Sequence, residues 1–198
     1  MMLSLSHFLL FAFSQIVTPG PANMIMLATG AKYGFRNAIP FVFGVILGKQ
    51  IIIWPIGFGL LLLNKEHPYI FIFFKYISAV YILWLAWRIA TMRISAKISD
   101  NKAPGFFSGL IVHPLNPKAW ALITTGFTNF VDPIAPIVYS TATIAVCLFC
   151  VQVICHPIWA LFGEKIARLV SGSVYERYLM LFLAALTVIF VSLAIASS

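Results

Sequence analysis

Long apolar runs alternate with short polar interruptions along the whole chain. A bilayer-crossing helix needs roughly 20 mostly apolar residues, and several runs reach that length. Six helical segments are predicted, at roughly 3–30, 38–63, 68–92, 106–130, 134–162 and 178–197. The interruptions read "KYGFRN", "NKEHP", "RISAKISDNKAPG", "VDP" and "GEKIARLVSGSVYERY". The third is the longest polar stretch and the single candidate linker. It divides one membrane domain into a three-helix unit over 1–93, a linker over 94–105 and a second three-helix unit over 106–198. The N-terminal "MMLSLSHFLLFAF" lacks a basic leading region, and its apolar run continues past any plausible cleavage point. It reads as a retained helix rather than a signal peptide.

Two of these segments are broken inside. The first carries Pro19-Gly20-Pro21, and the fourth, "FFSGLIVHPLNPKAWALI", carries Pro114 and Asn116-Pro117. Proline inside a helix removes a backbone donor and clashes with the preceding turn, at about 3 kcal/mol or more. The second segment of each unit also holds a proline, Pro55 in "IIIWPIG" and Pro157 in "VICHPIW". With three segments per unit, the two units must run in opposite senses through the membrane. The prediction is therefore an all-α integral membrane protein of six transmembrane helices in two inverted three-helix repeats, the first helix of each repeat broken. That architecture is common in secondary transporters. Irregular backbone at membrane depth is tolerated where it lines a cavity or is buried in protein. The half-helix after a break presents free amides that attract anionic groups. The residues at the two breaks, Thr18, Pro19, Gly20, Pro21 and Asn23 with Asn116, Pro117 and Lys118, are thus candidates for binding a carboxylate-bearing solute. The competing reading is that these prolines only bend helices for packing.

Composition agrees. Of 198 residues, 62% are hydrophobic and 9% charged, against about a quarter charged in a soluble domain; mean hydropathy is +1.00. The net charge of +8 does not signal nucleic acid, because the basic residues are not interleaved with aromatics on a polar stretch. They lie between apolar runs, as topology determinants do. Lys32 and Arg36 fall in loop one, Arg88, Arg93, Lys97 and Lys102 around loop three, and Lys165, Arg168 and Arg177 around loop five. The opposite side has Lys65 and Lys75. Positive residues favour the cytoplasm, which puts these three loops inside and both termini outside.

At this point the chain resembles a known family. "TPGPANMIMLATGAKYGFR" followed by "GVILG" is similar to the N-terminal signature of the lysine exporter (LysE/RhtB) family of amino-acid exporters, and "FFSG" with "LNPKAW" to its second-half signature. "AVYILWLAWRIAT" and "WALFGEKIARL" fit as well, and "YILWLAWRIAT" most resembles the cysteine and O-acetylserine exporter branch. The resemblance covers essentially the whole chain. It implies export of small amino acids or their derivatives (cysteine and O-acetylserine, threonine and homoserine, or similar) across the bacterial inner membrane. Three positions depart from the pattern: Ala22 follows Pro-Gly-Pro with Asn23 next, His113-Pro114 stands where Asn-Leu is usual, and Lys49 follows "GVILG".

Individual residues sharpen this. Lys118 lies in a span, where ionisable groups are costly and point to function; it could meet a substrate carboxylate, cap the carbonyls of a helix end, or snorkel to the interface. Lys49 lies deeper. Gln50 adjoins it but cannot share its helix face. No acidic residue falls clearly inside a span. His113 and His156, each just before a proline, therefore join Lys49 as candidates for coupling transport to an ion, since histidine titrates near neutrality; a hydrogen-bonded helix contact is their structural alternative. "CLFC", Cys147 to Cys150, has redox spacing but lies mid-span without a basic partner, and buried cysteine usually behaves as a small hydrophobe. An alternative function built on it is a membrane thiol-redox conduit or intramembrane enzyme. No metal set and no cofactor is indicated, and the absence of a P-loop argues against ATP hydrolysis, leaving a proton gradient or membrane potential as the energy source. Gly44 and Gly48 in "GVILG" permit close helix approach, within the protein or between subunits of a homo-oligomer. Trp84, Trp87, Trp120 and Trp159 lie mostly near segment ends, as interface anchors do.

Overall fold

The structure, a computed structural model, describes residues 5–60, 68–94, 103–131 and 134–196. These residues form α1 (Leu5–Val17), α2 (Pro21–Tyr33), α3 (Phe35–Pro55) followed by a π-helical turn (Ile56–Leu60), α4 (Pro68–Thr91), α5 (Phe106–Leu110), α6 (Pro117–Phe130), α7 (Ile137–Val170) and α8 (Val174–Ala196). Among the described residues there are no strands. Three helical stretches, Phe35–Gly59, Ile137–Val170 and Val174–Leu193, are long and apolar enough to cross a membrane, and a fourth is reached if α1 and α2 form one broken span. Most of the polar linker lies outside the described residues.

Both breaks are present. α1 and α2 meet at a 53° bend. Gly20 there is extended, at φ −171 and ψ 172, and Pro21 opens α2 at its first turn. In the second half α5 ends after five residues, residues 111–115 form turns, and Pro117 opens α6 behind the N-cap Asn116. Proline fits the first helical position because its missing amide has no intrahelical partner there anyway. Gly34, at φ 80, separates α2 from α3 and returns its amide to Gly30 O at 2.9 Å; an L-side chain would be strained there.

Several boundaries differ from the sequence reading. α7 continues to Val170, so "GEKIARLV" is helix rather than loop. Its 34 residues span about 50 Å at 1.5 Å per residue, well beyond the ~30 Å hydrocarbon layer. The apolar pattern ends where the membrane would end, but the helix is carried on by the Glu164–Arg168 ion pair one turn apart. α8 starts at Val174 rather than 178. Ser173 to Glu176 has the capping-box sequence, but Ser173 Oγ donates to Val170 O, and the Glu176 carboxylate instead holds the preceding turn by accepting from Gly172 N at 3.1 Å.

α2 is central: every residue except Lys32 is buried, as expected of a helix covered on all sides. It packs along α7, α3 packs along α5, α4 along α8, and α3 crosses α7 in the middle. Two of these contacts are backbone on backbone. A Cβ on Gly30 would collide with Ala160, and one on Gly163 with Leu27 and Ala31. Likewise Gly44 and Gly48 lie against the backbone of α5, and Gly109 of α5 against Phe41 and Val45. The small residues of "GVILG" therefore serve packing inside the protein.

The core has two apolar clusters. One gathers α2, the first half of α3 and residues of α4, α7 and α8, including Met26, Phe41, Val45, Ile89, Ala160 and Met180. The other gathers α1, the end of α3, α6 and the first half of α7, including Phe8, Ile16, Ile52, Ile123 and Leu148. Between them lies a polar layer. Along each broken segment, and along α3, the chain passes from one cluster to the other through it: at 18–21, at Lys49 and at 113–118. On α7 Gln152 and His156 sit at the same crossing.

Candidate functional site

The polar layer encloses a small cavity of about 30 Å³, lined by Gln15, Ile16, Gly20, Ala22, Asn23, Lys49, His113, Asn116, Lys118, Ala119, Leu122 and His156. The volume exceeds the ~10–15 Å³ that a water molecule needs and falls short of an amino acid, so a solute enters only if the walls part. Of the sequence candidates, Gly20, Asn23, Asn116, Lys118, Lys49, His113 and His156 all face this one space. Pro21 and Pro117 start the half-helices beside it, and Thr18 and Pro19 contribute carbonyls at its edge.

On the α1 side, the last carbonyls of the helix have no partners further along, because the following Pro19 and Pro21 carry no amide. Side chains supply the donors instead. Asn23 Nδ2 donates to Ile16 O at 2.9 Å and to Thr18 O at 3.0 Å. Lys118 Nζ donates to Thr18 O at 3.0 Å and to Pro19 O at 3.3 Å. Of the three expectations for Lys118, the structure thus shows the capping of a helix end, reached across the two halves of the chain. Gly20 makes room for it: a Cβ there would stand 3.0 Å from Lys118 Cδ and 3.3 Å from Nζ. On the α6 side, Asn116 Oδ1 accepts from Lys118 N at 3.1 Å, an ordinary N-cap. One amide at the start of α6 is therefore already used, whereas Gly20, the N-cap of α2, and Ala22 and Asn23 within it border the cavity directly.

Deeper in the layer are Lys49, His113, Gln152 and His156, each 4% exposed or less. Gln152 Nε2 lies 3.0 Å from His156 Nε2 and 3.4 Å from His113 Nε2, and the two Nε2 atoms lie 3.4 Å apart. Gln152 either donates one hydrogen to each ring or, with its amide turned over, accepts one from each. Both arrangements leave the same shortage: His113 Nδ1, His156 Nδ1 and one Gln152 amide atom are buried without a partner among the described residues. Orphaned buried polar atoms cost free energy, and a cluster with spare donors and acceptors can take up a proton, a water or a polar solute. Gln152 escaped the sequence reading. Its signal was present, since it stands four residues before His156 and so on the same helix face.

Among the described residues no carboxylate lines the cavity. Of the acidic residues described, Glu164 accepts from Phe35 N at 2.7 Å and pairs with Arg168, and Glu176 accepts from Ile94 N at 2.5 Å. Both hold the far end of the bundle, where Lys32 also donates to Arg93 O. Two lysines and two histidines therefore face the space with no opposing acid among the described residues. A buried cation without a partner is costly, and a negatively charged group entering here would offset that cost. Cys147 is partly buried, Cys150 is exposed and Cys155 is buried; none of the three lines the cavity. Among the described residues no group of three or more His, Cys, Asp or Glu is placed to hold a metal ion.

Comparison with known proteins gives the family. The chain is 29% identical over 187 residues to the cysteine/O-acetylserine efflux protein of Salmonella typhimurium, covering 93% of each chain. It is 28% identical, at the same coverage, to the proteins of that name from Klebsiella pneumoniae and Escherichia coli. No solved structure matches. The family model described as LysE type translocator matches residues 13–197, and the chain accordingly belongs to the LysE type translocators: it is a multi-pass membrane transporter, not an enzyme.

Proposed function

We propose that this protein exports small amino acids or their derivatives from the bacterial cytoplasm across the inner membrane by alternating access, with cysteine and O-acetylserine as the first candidates. The observation that carries this reading is the polar layer: two broken helices from opposite halves of a LysE type chain meet at one small cavity, lined by two lysines and, among the described residues, by no acid, between two apolar clusters. The carboxylate of the solute meets the first amides of α2 at Gly20, Ala22 and Asn23, with Lys49 and Lys118 at hand. His113 and His156, bridged by Gln152, are the candidates for coupling to a proton. Half-helix ends at membrane midplane serve this purpose in transporters generally.

The same reading takes the chain as six spans in two inverted repeats, α1–α2, α3 and α4 against α5–α6, α7 and α8. The packing supports it. The first segment of one half packs on the second segment of the other, α1–α2 on α7 and α5–α6 on α3, and the equivalent pairs α3–α7 and α4–α8 close on each other. Loops one, three and five meet through Lys32, Glu164 and Glu176; this end is the cytoplasmic one, and both termini are periplasmic. The redox alternative built on Cys147 and Cys150 lacks a site, because neither residue faces the polar layer.

The deciding experiment is efflux from proteoliposomes preloaded with labelled cysteine, O-acetylserine, threonine or homoserine. Release above protein-free vesicles is expected for at least one of them. Release of none would refute the reading.

A further inference from the structure

An amino acid brings an ammonium as well as a carboxylate, and among the described residues the cavity offers no acid to receive it. What the site does offer is the carbonyl end of α1. The last turn of a helix carries unpaired carbonyls and the negative end of its dipole. Here Pro19 and Pro21 prevent the chain from supplying amides to them, and Asn23 fixes Ile16 O and Thr18 O in place. The remaining acceptor capacity, on Thr18 O and Pro19 O, is taken by a primary ammonium, that of Lys118 at 3.0 and 3.3 Å.

We propose that the Thr18 and Pro19 carbonyls are the binding site for the ammonium of the transported amino acid, and that the Lys118 ammonium is a tethered occupant of that site which the substrate displaces. The inference rests on the export reading given above. The chemistry of occupant and substrate is the same, an –NH₃⁺ with three donors. The base of the lysine is held by the bond from its backbone amide to Asn116 Oδ1, while its stem lies over Gly20, so the ammonium can leave without moving α6. Displacement is balanced for a zwitterion: one ammonium replaces another on the carbonyls, and the released Lys118 meets the incoming carboxylate. It is unbalanced for other solutes. An amine without a carboxylate would strand the lysine charge, and a carboxylate without an amine would leave Lys118 where it is. The tether therefore selects molecules that carry both groups.

The test uses purified full-length protein, with binding measured by calorimetry and by the shift of the thermal unfolding midpoint. The probes are cysteine and cysteamine, the same molecule without its carboxylate. Wild-type protein should bind cysteine and ignore cysteamine. Lys118→Met should lose cysteine affinity by roughly ten- to a hundredfold, the worth of a charge-assisted hydrogen bond, and should bind cysteamine at least tenfold more tightly than wild type does. Lys118→Gln provides the same comparison if the methionine variant is not stably folded. Lys118→Arg, which keeps a charge, should still exclude cysteamine. Two results would each overturn the proposal: cysteamine binding that does not rise in either uncharged variant, or cysteine affinity that is unchanged in both. A wild-type protein that binds no cysteine counts against that choice of substrate, and the cysteamine comparison then still decides whether the carbonyls accept an ammonium.

Discussion

Replacing Gly20 tests whether the space at the first break is a path for solute or only a bend. The backbone there is extended, a conformation open to any residue, so a side chain acts through volume alone. A methyl group at this position would lie 3.0 Å from Lys118 Cδ and 3.3 Å from Nζ, inside the ~3.5–4.0 Å at which carbon atoms pack. The lysine must withdraw by about 0.5–1 Å, which stretches its bonds to Thr18 and Pro19 beyond useful length. This lysine is partly buried, and each bond it loses is worth about 0.5–1.5 kcal/mol; replacing an N-cap glycine by alanine adds a few tenths to about 1 kcal/mol. Gly20→Ala should therefore remain folded while its efflux falls severalfold. Gly20→Leu brings three more carbons into a cavity of about 30 Å³ and should abolish efflux with the protein still in the membrane. Gly20→Ser separates the causes. Serine caps a helix better than alanine, so a capping defect would be repaired, whereas a loss of space would persist. The assay is efflux from preloaded proteoliposomes at matched protein content. Wild-type efflux by Gly20→Leu would show that the break merely redirects the helix.

Two further outcomes follow from the packing and the topology. Gly163→Ala drives a methyl group into the Leu27 carbonyl and to 2.9 Å from Ala31 N; backbone cannot yield, so the cost should lie at the upper end of the 1–3 kcal/mol of overpacking, lowering the unfolding midpoint by roughly 5–10 °C, and an unchanged midpoint would refute the contact. In a cysteine-free background, Ser171→Cys, in the exposed turn between α7 and α8, should resist a membrane-impermeant thiol reagent in intact cells and react after permeabilisation; labelling of intact cells would reverse the orientation. The corresponding position in loop three, Ser99, lies outside the described residues.

How far the site could be read from residues alone depended on the kind of signal. Pro19, Pro21 and Pro117 announce breaks because proline has a fixed backbone cost wherever it stands, and Lys49 and Lys118 stand out because a charge in an apolar run is expensive. These are local facts, and they led to residues that share one cavity. Gln152 is uncharged and commonplace, and only the three-dimensional meeting of the turns at 111–115 with α7 gives it His113 as a neighbour. The engagement of Lys118 with Thr18 spans a hundred positions of chain, so no spacing rule could choose among the readings open to it. Helix ends were missed for a different reason. Apolarity reports where lipid would be, while α7 carries an ion pair in its last turns and the turn before α8 is held by the Glu176 carboxylate, neither of which is apolar.

The glycine contacts decide which pieces can move. α2 touches α7, and α5 touches α3, through backbone atoms with no side chain between them, and such surfaces cannot slide without collision. α1 and α6 lie on the other side of the two breaks and meet each other partly through aromatic rings, Phe8 and Phe11 against Phe130 with centroids 5.5 and 5.2 Å apart. Rings can roll over one another where welded backbones cannot. A motion that keeps the glycine contacts intact therefore treats α2, α3, α5 and α7 as a frame and α1 with α6 as a lever. Its two hinges are residues 18–20 and 111–116. Lys118 reaches from the lever's α6 to the carbonyls that form the first hinge, so releasing its ammonium and freeing the lever to turn would be one event.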